Sequence, residues 1–564
     1  MREIFPFLKA FNHYKSSDFK GDLVAGLTVG IMLIPQGMAY AMIAGLPPVY
    51  GLYAGIFPPL MYSIFGSSRQ LAVGPAAMDS LLVAIAIGSI SAVGSHNYIA
   101  VALLLALMVG VLQVSMGVLR LGFLVNFVSI PVINGFVYAV ALTISINQLG
   151  PIFGIELSKT KFLFSTLLEL IENLNLVKHL TLVLGLSSIM ILIMTRRFWP
   201  KIPGSLLVLI LGVLISYYLG LEGKDVRIVG TIPAGLPNFG IPLLDLSIIQ
   251  DLLPIAFTLA MVGFIEAFSV GTTLQRRHAK EYEISPNREL VGLGIGNIVG
   301  SMFSALPTTG GLSRSVVNDR AGARSVVASL ISVFLVVLTL VFLTPLFYHL
   351  PKVILAAIII VAVLGIIDIK KVIVLWKSDK SDFLMLISTF IGTLIFGIEK
   401  GVIIGVVLSL IMLVFKTSEP HMALLGRIQG TNHFRNLSRY ENANDFPDVA
   451  ILRFDARLYF ANINSLKEKI GIIVKDKPEL KTLILDAQSI SDIDSTGLSG
   501  LLDIIDSLKD LGISFKMVSI IGPVRDKLVQ TGAIEMIGID NLYPSISDAV
   551  DNVHDKAIKF QSNY

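Results

Sequence analysis

Hydrophobic residues in this chain come mostly in unbroken runs, without the alternation of a half-buried strand or the single stripe of a surface helix. Runs at Leu23–Tyr40, Leu52–Phe65, Ala76–Ile90, Ile99–Val118, Pro131–Gln148, Leu180–Met194, Leu206–Leu219, Asp251–Val270, Leu290–Phe303, Leu312–Val317, Ser325–Phe347, Val353–Ile367, Phe383–Phe396 and Gly401–Phe415 predict about fourteen spans. Several are too short to cross a hydrocarbon core of about 30 Å at roughly 1.5 Å per residue, and these are expected as half-helices. From about Lys416 onward charges become dense and no apolar run reaches the roughly 18 residues a span needs. The chain is therefore expected to divide into a polar N-terminal segment (1–20), a membrane body (21–416) and a linker with a soluble domain (417–564).

The soluble part alternates in type. Val449–Phe454, Thr482–Asp486 and Ser514–Ser519 read as strands, and Ser495–Leu511 and Pro523–Thr531 as helices.

Two stretches interrupt the apolar runs with matching layouts. Gln70–Ser80 is an extended run, a Gly74-Pro75 break and a helix start near Ala76 and Ala77; Leu306–Ser315 carries Pro307, Thr308, Thr309 and Gly310-Gly311 before a start near Leu312. Each is the third span of its half, counting from Leu23 and from Asp251. Short, broken spans at corresponding positions mark an inverted repeat of about seven plus seven spans, with a midplane site between two half-helices. Non-helical backbone at that depth survives only where protein or a cavity covers it. A helix that starts there presents free N–H groups and the positive end of its dipole.

Composition sharpens this picture. A mean hydropathy of +0.77, with 54% hydrophobic and 15% charged residues, excludes an ordinary soluble globule. There is no cysteine, so disulfides and thiolate metal sites are absent, and the net charge of +4 is too small to imply a polyanionic partner. Met1–Lys20 lacks the apolar core of a cleavable signal, so the first span is expected to be retained. Basic clusters at Thr195–Lys201, Gln275–Lys280 and Lys370–Lys380 fall on one side. The positive-inside rule makes that side cytoplasmic, together with both termini.

Arg314 is the residue around which the candidate chemistry gathers. A guanidinium at bilayer depth costs several kcal/mol and is kept where it meets a partner or a watery cavity, and an anion is the partner that a helix start also favours. Ser313 lies beside it, while Thr308 and Thr309 are candidates for contact or for helix capping. Gln36 and Tyr40, four residues apart, share one face of the first span, where a buried amide needs partners from a ligand or another helix. Glu266, the acid within the Ala260–Phe268 stretch, is read as a salt-bridge partner for Arg314 or as a proton carrier and gate. Asp79 suits a helix start electrostatically and is read as structural. His13, His96 and His433 fit no metal spacing, and no cofactor, metal or nucleic-acid partner is expected.

Pro35–Tyr40, Gly45–Tyr53, Gly74-Pro75, Leu312–Ser315 and the C-terminal strand–helix region occur in an order that resembles the SulP/SLC26 anion transporters. With Asp492–Gly497 between strand and helix, the C-terminal region resembles the STAS domain of that family. The resemblance implies secondary active transport of a small anion, sulfate first, across the plasma membrane by alternating access, in a homodimer embedded in lipid. Together with the helix starts it implies an anion site at Gln36, Tyr40, Ala76, Ala77, Thr309, Gly310, Leu312, Ser313 and Arg314, and Glu266, as a lone buried acid, is the candidate for coupling. Asp494, Ser495 and Thr496 would be either a helix cap or a regulatory site, because related bacterial signalling proteins are phosphorylated there, and the STAS domain could bind a cytoplasmic protein.

Bicarbonate, chloride and C4-dicarboxylates suit the same site, and a gated anion channel or a membrane sensor would use the same features. An enzyme is disfavoured because no metal triad, nucleophile–base pair or nucleotide motif is present. The lone carboxylate at Glu266, flanked one turn away by Val262 and Val270, suits a proton better than sodium.

Overall fold

The computed structural model describes residues 14–88, 90, 96–123, 129–157, 163–199, 203–278 and 282–561. His13, most of the N-terminal segment, Ser89, and Pro200, Lys201, Ala279 and Lys280 of the basic clusters lie outside the described residues. The chain forms two compact units, one ending at Ser409 and one beginning at Leu410.

The membrane unit begins with α1 (Ser16–Ile43), α2 (Pro48–Tyr53), α3 (Phe57–Phe65), the short strand β1 (Val73–Gly74), α4 (Ala77–Gly88), α5 (His96–Val118) and α6 (Ile130–Asn147). It continues with α7 (His179–Phe198), α8 (Gly204–Leu219), α9 (Leu246–Gln275), α10 (Pro286–Met302), β2 (Thr309–Gly310), α11 (Leu312–Arg320), α12 (Val327–Leu338), α13 (Lys352–Leu364), α14 (Ile369–Ser378) and α15 (Lys380–Phe396), and the next helix, α16 (Ile398–Ser418), contains the division at Ser409. Seven helical stretches among the described residues are long and apolar enough to cross a membrane.

Several expected spans are realised as broken or short helices, each for a local reason. Leu52–Phe65 splits into α2 and α3, since Pro58 and Pro59 lack the N–H groups that would join α3 to the preceding turn. Ser325–Phe347 is α-helical only to Leu338. It then loosens into a π turn (Thr339–Leu343) and a 3₁₀ turn (Thr344–Phe347) ahead of and around Pro345. The basic stretch from Lys370 lies mostly in α14, which buries none of its residues, and Lys380 opens α15.

α1 carries Pro35 in its interior, and the turn around it, Pro35–Ala41, is wholly buried. Gly37 and Gly51 explain why the surrounding glycines matter. A Cβ on Gly37 would stand 2.8 Å from the Gly51 carbonyl oxygen, so α1 and α2 touch backbone to backbone. The largest apolar core of the unit fills the space among α1, α4, α5, α6, α9 and α13.

In the soluble unit, β3 (Met422–Ile428), β4 (Phe434–Asn436), β5 (Ala443–Asn444), β6 (Val449–Phe454), β7 (Thr482–Asp486), β8 (Ser514–Val518) and β9 (Leu542–Tyr543) make one sheet. β6 through β9 run parallel in register, and β3 returns antiparallel to β6. The strands read from the sequence are therefore present as β6, β7 and β8, and β3, β4, β5, β9 and helices such as α17 (Ile463–Asp476) are additions. α17, α18 (Ser495–Asp510) and α19 (Gly522–Gln530) contribute to one core, and α20 (Ile546–Gln561) to another.

Asp494 caps α18. Its Oδ1 accepts from the Gly497 N–H at 2.7 Å and its Oδ2 from the Phe460 N–H at 3.1 Å. Ser495 and Thr496 are exposed in the first turn. Nearby, the Lys527 ammonium donates to Asp492 at 2.6 Å and holds that carboxyl below the ordinary carboxylate range.

Candidate functional site

β1 and β2 pair antiparallel, with Val73 opposite Gly310 and Gly74 opposite Thr309. Each strand leads straight into a half-helix, α4 with 12 residues and α11 with 9, so two helix starts are brought to one crossing inside the membrane unit. The crossing is held by polar bonds from several sides. Ser315 Oγ accepts from the Ala72 N–H at 2.9 Å and donates to the Gly311 carbonyl at 2.7 Å, and the Gly311 N–H donates to the Ala72 carbonyl at 3.1 Å.

On the far side of β2, Asn297 Oδ1 accepts from the Thr308 N–H (2.8 Å) and hydroxyl (3.0 Å), while its Nδ2 donates to Gln113 and to the Thr308 carbonyl. The Thr309 hydroxyl donates to the Gly263 carbonyl at 2.6 Å. Thr308 and Thr309 thus fasten β2 to α10 and α9 and do not cap α11. The residue at that cap is Gly311, with no side-chain cap bond. At the start of α4, Pro75 and Ala76 likewise offer no side-chain acceptor.

Arg314 lies over this crossing, 2% exposed and the largest of the fully buried side chains. Its guanidinium folds back onto the loop backbone. A Cβ added to Gly311 would meet Nη2 at 2.7 Å, and one on Gly74 would meet it at 3.4 Å. The hydrogen-bond partner of the guanidinium is Gln36 Oε1, 3.5 Å from Nη1 and at the limit of bonding, while Nε and Nη2 have no partner. Glu266 is close enough to act on Arg314 electrostatically, yet its Oε2 is buried without a partner and no ion pair joins the two. A cation with two of its three nitrogens free, beside uncapped helix starts, favours a negative charge.

A cavity of about 410 Å³ opens in front of Arg314. Gln36, Tyr40, Ala76, Ala77, Gly311, Leu312, Ser313, Arg314 and Glu266 line it, together with Ile133, Asn134, Val137, Tyr138 and Ala141 of α6 and Ala362, Val363 and Ile366. Of the residues singled out from the sequence, Thr309 and Gly310 are not part of the lining. They lie in β2, both buried. Along α9 the lining runs Glu266, Ser269, Thr273, Arg276 at helical spacing and reaches Lys371 of α14, so the cavity leads toward the basic side.

The sequence reading missed Asn134, Tyr138 and the Ser269–Thr273 ladder. Their signal is polar residues recurring every three to four positions in otherwise apolar helices. It also missed Glu289 and Asp22. Glu289 accepts from Tyr62 OH (2.6 Å), from Ser67 N (2.9 Å) and Oγ (2.5 Å) and from Ser68 N (3.2 Å), fixing the turn that feeds β1. Asp22 accepts from the Arg324 and Ser325 N–H groups (2.6 and 3.0 Å) just beyond α11.

Residues 19–389 match the sulfate permease family and residues 440–549 the STAS domain. The chain is 35% identical over 590 residues to sulfate transporter 4.1, chloroplastic, of Arabidopsis thaliana, covering 100% of this chain and 85% of that protein. It is 33% identical over 585 residues to high affinity sulfate transporter 2 of Stylosanthes hamata, covering 99% and 88%. Among solved structures, murine Slc26a9, an anion transporter captured inward-facing, superposes with a TM-score of 0.87 at 28% identity over 98% of this chain and 94% of that one. The transmembrane domain of a cyanobacterium bicarbonate transporter, BicA, gives 0.60 at 26% identity over 71% and 98%.

Proposed function

The chain belongs to the sulfate permease family and is a multi-pass membrane transporter of anions, and we propose that its substrate is a small oxyanion, sulfate first, carried by alternating access with proton coupling. The observation that carries this reading is the unpaired Arg314 guanidinium at the crossing of two half-helix starts, facing the cavity. Sulfate would accept from Arg314, from the free N–H groups at Leu312 and Ser313 and from those of α4, with Gln36 and Tyr40 closing the side wall.

The wall formed by α1, α4, α9 and α11 carries the anion past the wall formed by α6 and α13, which exposes the site alternately to each side. With the basic side cytoplasmic, the cavity reaching Arg276 and Lys371 corresponds to an inward-open state in the plasma membrane, with both termini inside. The protein acts as a homodimer, and the exposed Ser495 and Thr496 at the start of α18 are where a phosphoryl group or a protein partner would act on the STAS domain.

Uptake of labelled sulfate into proteoliposomes, competed by selenate, bicarbonate, chloride and dicarboxylates, tests the substrate. Saturable uptake competed best by selenate is expected, and no saturable uptake of any of these anions would overturn the reading. Glu266 faces the cavity without a hydrogen bond to its Oε2, so it is free to take up a proton as the anion arrives. Uptake is expected to rise with an inward proton gradient, to ignore replacement of sodium by choline, and to lose most of its pH response in Glu266→Gln. Strict sodium dependence at constant pH and membrane potential contradicts this.

Gly311→Ala probes the guanidinium while leaving its charge and donors intact. Gly311 has φ −76° and ψ 120°, which alanine adopts without strain, but the new methyl must push the guanidinium aside. Sulfate affinity should fall at least about tenfold with unchanged melting, because small misplacements of a binding group are costly.

A further inference from the structure

A second acid lies behind the cavity wall. Asp79, in the first turn of α4, is 2% exposed, and its Oδ1 has no hydrogen-bond partner. It lies against α9 where Gly263 leaves room, since a Cβ there would stand 3.9 Å from Oδ1. Glu266, one turn along α9, has an equally unpartnered Oε2 and acts on Asp79 electrostatically. Asp79 is thus fully buried and Glu266 partly so at the cavity wall, and each turns one carboxylate oxygen inward without the bond that normally makes burial tolerable.

Their joint charge decides what the anion site can hold. With both ionised they outweigh Arg314, and a dianion entering the crossing meets net negative charge. Asp79 also occupies the same helix start whose positive end would serve the anion, so an ionised Asp79 and a bound anion compete for it. With both protonated, Arg314 faces the anion unopposed.

The other elements packed on α4 supply no competing charge. α1 presents Tyr40 and the neutral Gln36, and α5 from Tyr98 onward and all of α6 hold no acid or base stronger than a tyrosine. The Tyr98 hydroxyl is spent on the Ala44 carbonyl at 2.7 Å. Tyr138 of α6 lines the cavity, and Thr309 of β2 is bonded to Gly263.

We propose that Asp79 is a second proton carrier, which takes up a proton together with Glu266 when the anion binds, so that sulfate moves with two protons and no net charge. This rests on the reading that sulfate binds at Arg314 and that Glu266 takes up a proton. The proton added to each carboxylate on one side of the membrane is released on the other as the anion leaves, and by reciprocity the anion tightens proton binding as much as protons tighten anion binding.

Equilibrium binding of labelled sulfate to the purified full chain across pH tests it. By proton linkage the slope of log Kd against pH counts the protons taken up: about 2 is expected in the wild type, about 1 in Asp79→Asn or Glu266→Gln, and about 0 in the double variant. An Asp79→Asn slope equal to the wild-type slope overturns the proposal while leaving Glu266 in place. A flat wild-type line overturns the proton-coupled reading beneath it. Should Asp79→Asn fail to fold, wild-type uptake at a fixed pH gradient decides. An imposed inside-negative potential is expected to leave the rate unchanged, whereas slowing means net negative charge is carried and contradicts a second proton.

Discussion

Arg314→Ala is expected to weaken sulfate binding by roughly 100-fold or more and to bring uptake to background, as expected when a buried charged contact worth about 2–5 kcal/mol is truncated. The same variant should melt no earlier than the wild type. The guanidinium is buried with Nε and Nη2 unpartnered and in no ion pair, so its removal breaks no salt bridge, and Glu266 and Asp79 can take up protons in its absence. That sign separates an anion contact from a structural ion pair, whose loss would cost roughly 3–5 kcal/mol of stability. Arg314→Lys should recover part of the affinity, because it keeps the charge and loses the planar fork of donors. Wild-type uptake by a well-folded Arg314→Ala protein would remove Arg314 from the site.

The reverse pattern is expected at Glu289→Ala. Four donors converge on this carboxylate from Tyr62, Ser67 and Ser68, and the substitution takes their shared acceptor away, leaving the Ser68 N–H only the Tyr62 hydroxyl. Stability should fall by roughly 3–5 kcal/mol, seen as a large drop in melting temperature of the detergent-solubilised protein. Uptake should fall with it, because the Ser67–Ser68 turn leads into β1 and half of the crossing. Glu289→Gln should cost only about 1 kcal/mol, since its oxygen can stay with Ser67 and Ser68 while its amide turns to Tyr62. A Glu289→Ala protein that melts with the wild type would show that the turn is held by other contacts.

The crossing itself was legible in the sequence. Glycine and proline interrupting two apolar runs at matching positions can mean little else inside a membrane, and β1 and β2 lie where those breaks stand. Arg314 was legible for the same reason, because a cation amid apolar residues needs a use. The direction in which each hydroxyl points was not legible. Thr308 and Thr309 look like capping residues in one dimension, but Asn297 and Gly263 reach them from elements many residues earlier.

Glu289 and Asp22 escaped notice because each stands near the start of a helix, where an acid is ordinary. Only the fold shows that they bind distant turns and not their own helix ends. Asp79 read as a dipole partner on its own helix. Its importance came from α9, where a glycine on the facing surface places it beside Glu266.

Selenate, a sulfate isostere whose selenium can be located by anomalous scattering, tests the central claim most directly when soaked into crystals of the full chain. The selenium peak should lie between the starts of α4 and α11, with its oxygens about 3 Å from the Arg314 guanidinium and from the backbone nitrogens at Leu312 and Ser313. A dominant peak at Arg276 and Lys371, with the crossing empty, would contradict the account.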